Sequence, residues 1–378
     1  GDVYKRQDLH HLKGAGVKAT LDLKAFEPPA AGKTAPAKGS ALDSKTQLSQ
    51  AFADDPAFKA DLKALKGKFD DKAKGGEKLG RVLVNLLDKQ PIVPGMETGK
   101  DLVKSIVSDL SNPARITQGQ GTTTCTTASM QIILARSKPA EYARIAGDLA
   151  TRGGADLRGS GKLSLKPGDF ENLAGREPLH AAIQNSLYRL GESLGKSKDD
   201  KSDFGGTLLR SASKSFAGRF LTAAASSFAG TLRSAAATAF AGTLRSASSS
   251  SFAGTLRSAS TASFAGGSGA GLNIDEFNAL NTMVTGSKNV AMQTSPAVIN
   301  QLRMSGDDVT AFLRPEKGAA SGHAVVIVGW DRDKAIIDDP EKSERVKMSA
   351  NDLMKNALFI QADASAVSKS PTTLGSVY

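Results

Sequence analysis

A chain with one thiol has few routes to covalent chemistry, and among these 378 residues the thiol is Cys125. It follows the polar loop Gln118-Gly119-Gln120-Gly121-Thr122-Thr123-Thr124 and opens a run of helical spacing that reaches Ala135. Unpaired backbone N–H groups at a helix start carry partial positive charge, which favours thiolate over thiol. A nucleophile of this kind needs a proton partner, and His323 stands at the head of the strongest strand signal, Ala324-Val325-Val326-Ile327-Val328, after the small Ser321-Gly322. Beyond a turn-like Asp331-Arg332-Asp333-Lys334 lies Asp339, placed to hold the imidazole in one tautomer. Asp338 competes for that role, because neighbouring strand residues point to opposite faces and a one-residue change of register exchanges them.

The same scarcity excludes other chemistries. One cysteine cannot build a disulfide framework, and with His10, His11, His180 and His323 as the only histidines no dense Cys/His metal cluster is expected. His180, on an apolar helical stretch, reads as a structural residue, while His10 and His11 read as solvated. Thr122 to Thr124 lack the Gly-Lys-Ser/Thr ending of a phosphate loop. Neither a metal nor an organic cofactor is expected.

These residues must be positioned by the rest of the chain. Hydrophobic residues at 40% and charged residues at 23% are near the globular average, and no apolar run approaches a membrane span. Gly1 to Gln7 resembles translated adapter sequence and is set aside. Residues 1–48 are rich in Ala, Lys, Gly and Pro and read as a mobile arm. Residues 49–112 form an N-terminal helical region, with two amphipathic helices between Ser49 and Leu87 and a third from Asp101 to Leu110, closed by Asn112-Pro113. Residues 113–203 carry the helical patterns Cys125 to Ala135, Ala140 to Ala150 and Leu179 to Leu190.

At Phe204 the texture changes. Phenylalanines fall at 204, 216, 228, 240, 252 and 264, a period of 12, within a Ser/Ala/Gly/Thr-rich insertion covering 204–270. One long helix would spread these rings around its circumference, so the composition predicts disorder, with a small β-solenoid or helical hairpins as the ordered alternatives. The insertion holds six basic residues and no acidic one, so more than half of the net charge of +11 sits there. Without interleaved Tyr or Trp it predicts no specific nucleic-acid binding, and at most nonspecific contact with anionic surfaces. Residues 271–362 are the β-rich part: helices from Ile274 to Val284 and Ala291 to Leu302, then strands Val309–Leu313, Gly322–Trp330 and Ala335–Ile337 as one sheet, then a helix from Ser349 to Leu358 leading into Phe359-Ile360. Residues 363–378 read as a frayed tail.

The order of Gln, Cys, a helical half, Gly322-His323, a hydrophobic strand to Gly329 and a hairpin ending in Asp339-Pro340 resembles the papain-like cysteine peptidase superfamily. Within it the chain is most similar to the bacteriocin-processing (double-glycine) peptidase branch and its bacterial relatives, over roughly 113–203 and 271–362. The resemblance implies an α+β fold with a helical subdomain carrying the cysteine and an antiparallel sheet subdomain carrying the histidine and aspartate. It implies Cys125 as nucleophile, His323 as proton shuttle, Asp339 as its orienting group, and Gln118 with the cysteine's own N–H as the oxyanion hole. Gln118 is preferred to Gln120 because Thr117-Gln118-Gly119 fits the family pattern. The implied function is hydrolysis of a peptide or amide bond through a thioester, with a protein or peptide as substrate. Two alternatives are a papain-like binding or adhesion protein without catalysis, and a toxin acting as a deamidase or transglutaminase on Gln. Localisation is open, with secretion or translocation favoured, and the oligomeric state is not legible.

Overall fold

Asp43 caps the first helix, α1 (Ser44–Ala51), by accepting the Lys45 N–H, and Leu48 is fully buried. The structure, a computed structural model, describes residues 43–119, 122–159, 161–170, 173–200, 272, 274–314 and 322–363. The repeat at 204–270, Gln120, most of the expected arm and most of the tail lie outside the described residues. The arm was expected to run to residue 48, and α1 corrects that boundary: the Asp43 cap and the buried Leu48 compensate for the ordering of this stretch.

Two further short helices follow, the two expected between Ser49 and Leu87, and α1 is an addition before them. α2 (Pro56–Ala64) has Asp55 as a cap for the Phe58 N–H and Pro56 in its first turn, and α3 (Leu79–Leu86) presents Leu79, Val82, Leu83 and Leu86 to the core. α4 (Gly99–Ser111) starts on a reciprocal capping box between Thr98 and Asp101 and stops before Pro113. Next come α5 (Cys125–Ser137), α6 (Pro139–Arg152), an antiparallel ribbon of β1 (Gly154–Asp156) and β2 (Lys162–Ser164), and α7 (Pro178–Asp200). The ribbon's three-residue strands are too short to show a period in sequence.

After α8 (Ile274–Thr285) the chain enters β3 (Asn289–Gln293), where a helix over Ala291 to Leu302 was expected. The helix α9 is Pro296–Ser305, with the Ser295 side chain accepting the Val298 N–H. Pro296 has no N–H to donate and disfavours helix in the residue before it, so residues 291–294 cannot be an N-terminal extension of α9. The expected three strands are part of a six-stranded antiparallel sheet in the order β3-β8-β4-β5-β6-β7, with β4 (Val309–Leu313), β5 (His323–Asp331), β6 (Lys334–Asp339), β7 (Glu344–Ser349) and β8 (Ala357–Asp363). The last helix, α10 (Ala350–Asn356), ends before Ala357, which already belongs to β8.

The architecture is α+β. Along β5, Ala324 and Val326 pack into the core shared by all the helices from α1 to α8, and Val325 and Ile327 pack into a second core under α9 and α10. Both faces of the strand are therefore buried, which is why its sequence reads as one unbroken apolar run. Among the described residues no helix is long and apolar enough to cross a membrane.

Candidate active site

Ten of the 13 residues of α5 are buried, including the polar Thr126, Thr127, Ser129 and Gln131, so this helix is held from every side. Toward the sheet, Ser129 Oγ donates to the Ala324 carbonyl at 3.0 Å, and Arg136 donates from Nη2 to the Val328 carbonyl at 3.3 Å and from Nε to Asp308 Oδ2 at 2.9 Å. These contacts advance along helix and strand in the same direction. One helical turn back from Ser129 is Cys125, and one residue back from Ala324 is His323, so the pinning brings the first turn of α5 over the first residue of β5.

There the two side chains meet. His323 Nε2 lies 2.7 Å from Asp339 Oδ1, and the Cys125 thiol is close enough to act on the same ring. Burial opposes charge on the ring, but the bonds to Asp339 and Cys125 override it, and the His323 pKa is pushed from an ordinary 6.5 up to about 10. Burial likewise works against the Asp339 carboxylate, and the His323 bond and charge with the Glu341 N–H and Lys342 bring its pKa below the usual value. Asp339 Oδ1 also accepts the Glu341 N–H at 3.0 Å. Cys125 itself is 8% exposed, which leaves the thiol a narrow approach.

Of the two competing aspartates, Asp339 shares the face of the ring. Ile327 pairs with Ile337 but Gly329 pairs with Ile336, so Val328 is an extra residue on β5 and its carbonyl is the one Arg136 captures. Without this bulge the hairpin register would set Asp338 on the His323 face. With it, Asp338 points to the other face, where Arg345 binds it through Nε at 2.7 Å and Nη2 at 3.2 Å.

Gln118 reaches the same place through its backbone. Its N–H donates to the Pro340 carbonyl at 2.8 Å, beside Asp339, and its own carbonyl accepts the hydroxyls of Thr122 at 2.6 Å and Thr124 at 3.2 Å. The side-chain Oε1 is buried with no partner. Gly119 turns the loop at φ +81°, and a Cβ there would stand 2.8 Å from the Ala174 carbonyl, so glycine is required on both counts. The structure thus brings together Cys125, His323, Asp339 and the Gln118 loop, while Gln120 lies outside the described residues.

Among the described residues, two groups have the composition of a cation site. His323, Asp339 and Glu341 offer ligand atoms within 4.8 Å, but Nε2 is already bonded to Asp339. Asp109, Glu177 and His180 form the second, and the guanidinium of Arg115, bonded to both carboxylates, already supplies the positive charge. His180, read as structural from the sequence, is buried with Nε2 at 2.9 Å from Asp109. A cavity of about 190 Å³ lies at the other end of α5, lined by Ile133, Ser137 and Asn281 among others, and contains none of the reactive groups. The thiol–imidazole–carboxylate line, not that cavity, is where covalent chemistry is possible. Sequence reasoning missed Glu341, whose Oε2 is 3.9 Å from His323 Nε2, and Arg136. Neither had a signal beyond its charge.

The two perturbed groups predict a pH profile of stability. A histidine whose folded pKa is raised contributes stability that is complete below 6.5 and is lost as pH rises through about 10. The lowered Asp339 contributes above the ordinary 3.8 and loses that contribution as pH falls through its folded value. Urea unfolding from pH 6 to 10.5 should show a decline that His323→Gln flattens; an equal slope in both proteins would refute the assignment.

No protein-family model matches the chain, and no curated protein matches it. Among solved structures it is similar to a provisionally assigned C39-like peptidase from Bacillus anthracis, at 19% identity and a TM-score of 0.19. The match covers 25% of this chain and spans 60% of the length of that one.

Proposed function

We propose that this protein is a papain-like cysteine hydrolase that cleaves peptide or amide bonds through a thioester. The observation that carries the reading is one imidazole bonded to a buried carboxylate and raised in pKa by the chain's sole thiol beside it. With Nε2 committed to Asp339, Nδ1 is the nitrogen left to serve the sulfur. A ring with a pKa near 10 is protonated at neutral pH, so it is both the counter-charge for a thiolate and the acid that a leaving amine requires.

In the first step Sγ attacks the carbonyl carbon, forming a C–S bond while the carbonyl electron pair moves to oxygen. The pair returns as the C–N bond breaks, and His323 gives its proton to the departing nitrogen. Water then attacks the thioester, the ring accepts its proton, and the thiol is released with a free acid. The oxyanion would be met by the backbone N–H of Cys125 at the start of α5 and by the Gln118 amide. Gln118 fits that role through its Nε2 donor, because its loop is tied to Pro340 beside Asp339.

The test is incubation with unfolded casein and a peptide mixture, reading new amino termini by mass spectrometry. Cleavage by the wild type that is absent in Cys125→Ala supports the reading. Ammonia release without new termini would move it to a deamidase, and products unchanged by Cys125→Ala would overturn it.

A further inference from the structure

The polar residues buried inside the helical layer form one connected line. Thr124, immediately before Cys125, shares its one hydroxyl proton between the Gln118 carbonyl and Gln184 Oε1, each at 3.2 Å. Gln184 donates from Nε2 to the Thr117 carbonyl at 2.9 Å and to Gln131 Oε1 at 3.0 Å. Gln131 Nε2 donates to the Tyr142 hydroxyl at 3.0 Å, and that hydroxyl donates to Asp109 Oδ2 at 2.6 Å. Asp109 is held from its other oxygen by His180 Nε2 at 2.9 Å and Arg115 Nη1 at 3.3 Å. Asp109 is on α4, Gln131 on α5, Tyr142 on α6 and Gln184 on α7, and all four are fully buried.

The line has a direction. An ionised carboxylate only accepts, so the Tyr142 proton points to Asp109; burial and that same carboxylate push the Tyr142 pKa up, keeping the proton in place. The phenol oxygen then accepts from the Gln131 amide nitrogen, which turns the Gln131 oxygen to Gln184. Gln184 must in turn face Thr117 with its NH2 and Thr124 with its oxygen. The reverse orientation would set the Gln184 oxygen against the Thr117 carbonyl and its NH2 against the Arg176 guanidinium, which now donates from Nη1 to that oxygen at 3.4 Å.

We propose that Gln184 is a positioning residue that holds Thr117, next to Gln118, and Thr124, next to Cys125, and that Gln131, Tyr142 and Asp109 keep its amide in the one orientation that does so. The loop carries Gln118 and delivers the chain into Cys125, so the clamp acts on the oxyanion side of the site rather than on the sulfur–imidazole bond. This rests on the hydrolase reading above.

Two reagents at the same thiol separate the effects. Iodoacetamide alkylates the sulfur by displacement at carbon and forms no oxyanion; p-nitrophenyl acetate acylates it through a tetrahedral oxyanion, releasing p-nitrophenolate. Gln184→Glu keeps the shape but loses both donated bonds. It should slow the acylation burst about 100-fold, the scale of one lost oxyanion donor, while alkylation changes less than about threefold. Tyr142→Phe, which removes only the relay's hydroxyl, should slow acylation roughly tenfold with alkylation again near wild type, thermal melting confirming the fold of both variants. If alkylation falls in step with acylation, or neither falls, the inference is overturned. A wild type without a burst that depends on His323 overturns the hydrolase reading and the inference with it, whereas a wild-type burst that Gln184→Glu leaves intact overturns the inference alone.

Discussion

Cys125→Ala and His323→Ala should each remove essentially all amide hydrolysis, a loss on the order of 10⁶-fold against a fully active enzyme, and the double variant should be no slower than either single one. The reason is geometric. The sulfur acts directly on the ring, so removing either leaves the other with nothing to exchange a proton with. Additive losses would mean that the two residues act separately, and the hydrolase reading would fall. Circular dichroism and thermal melting should be near wild type in Cys125→Ala, because replacing the SH group by hydrogen leaves only a small void at the 8%-exposed first turn of α5. In His323→Ala, Asp339 loses its 2.7 Å partner, so a lower melting temperature is expected there with secondary structure intact.

How these residues come together was partly written in the chain. Cys125 at a helix start and His323 at a strand start were readable because both signals are local: a polar loop running into helical spacing, and small residues running into a β-branched run. What local pattern could not provide is the docking of α5 on β5. That depends on Ser129 reaching the Ala324 carbonyl and Arg136 reaching Val328, contacts about 190 residues apart in sequence. The sheet was half legible. β4, β5 and β6 announce themselves through apolar runs, whereas β7, Glu-Arg-Val-Lys-Met-Ser, is an edge strand of charged residues whose pattern hides a strand. β3 was hidden differently, by helical spacing that continued across Pro296, where the proline should have outweighed the spacing. The helical layer's polar line was invisible for a third reason: Asp109, Gln131, Tyr142 and Gln184 each look like one polar residue on an apolar helix, and only tertiary packing shows that they face each other.

The choice between Asp338 and Asp339 turns on the extra residue at Val328, and the two should fail in opposite ways when replaced. Asp339→Ala removes the group that orients the ring, so hydrolysis should fall steeply, though roughly 10- to 100-fold less than with Cys125→Ala, because the ring and thiol remain. Its stability should change mainly through the pH profile, with the decline toward pH 10 weakened as His323 loses the hydrogen bond that does most to raise its pKa. Asp338→Ala leaves the reactive line untouched but abandons the guanidinium of Arg345, with Arg136 Nη1 a further 3.9 Å contact. A fully buried pair broken this way costs about 3 to 5 kcal/mol, and since Arg345 is half exposed and can find water, about 2 to 3 kcal/mol is expected here. The crossover is read from urea midpoints and from the p-nitrophenolate burst in the same two proteins. Should Asp338→Ala lose the burst at full stability, the register would have to run without the bulge, with Asp338 on the imidazole and Arg136 deprived of the Val328 carbonyl.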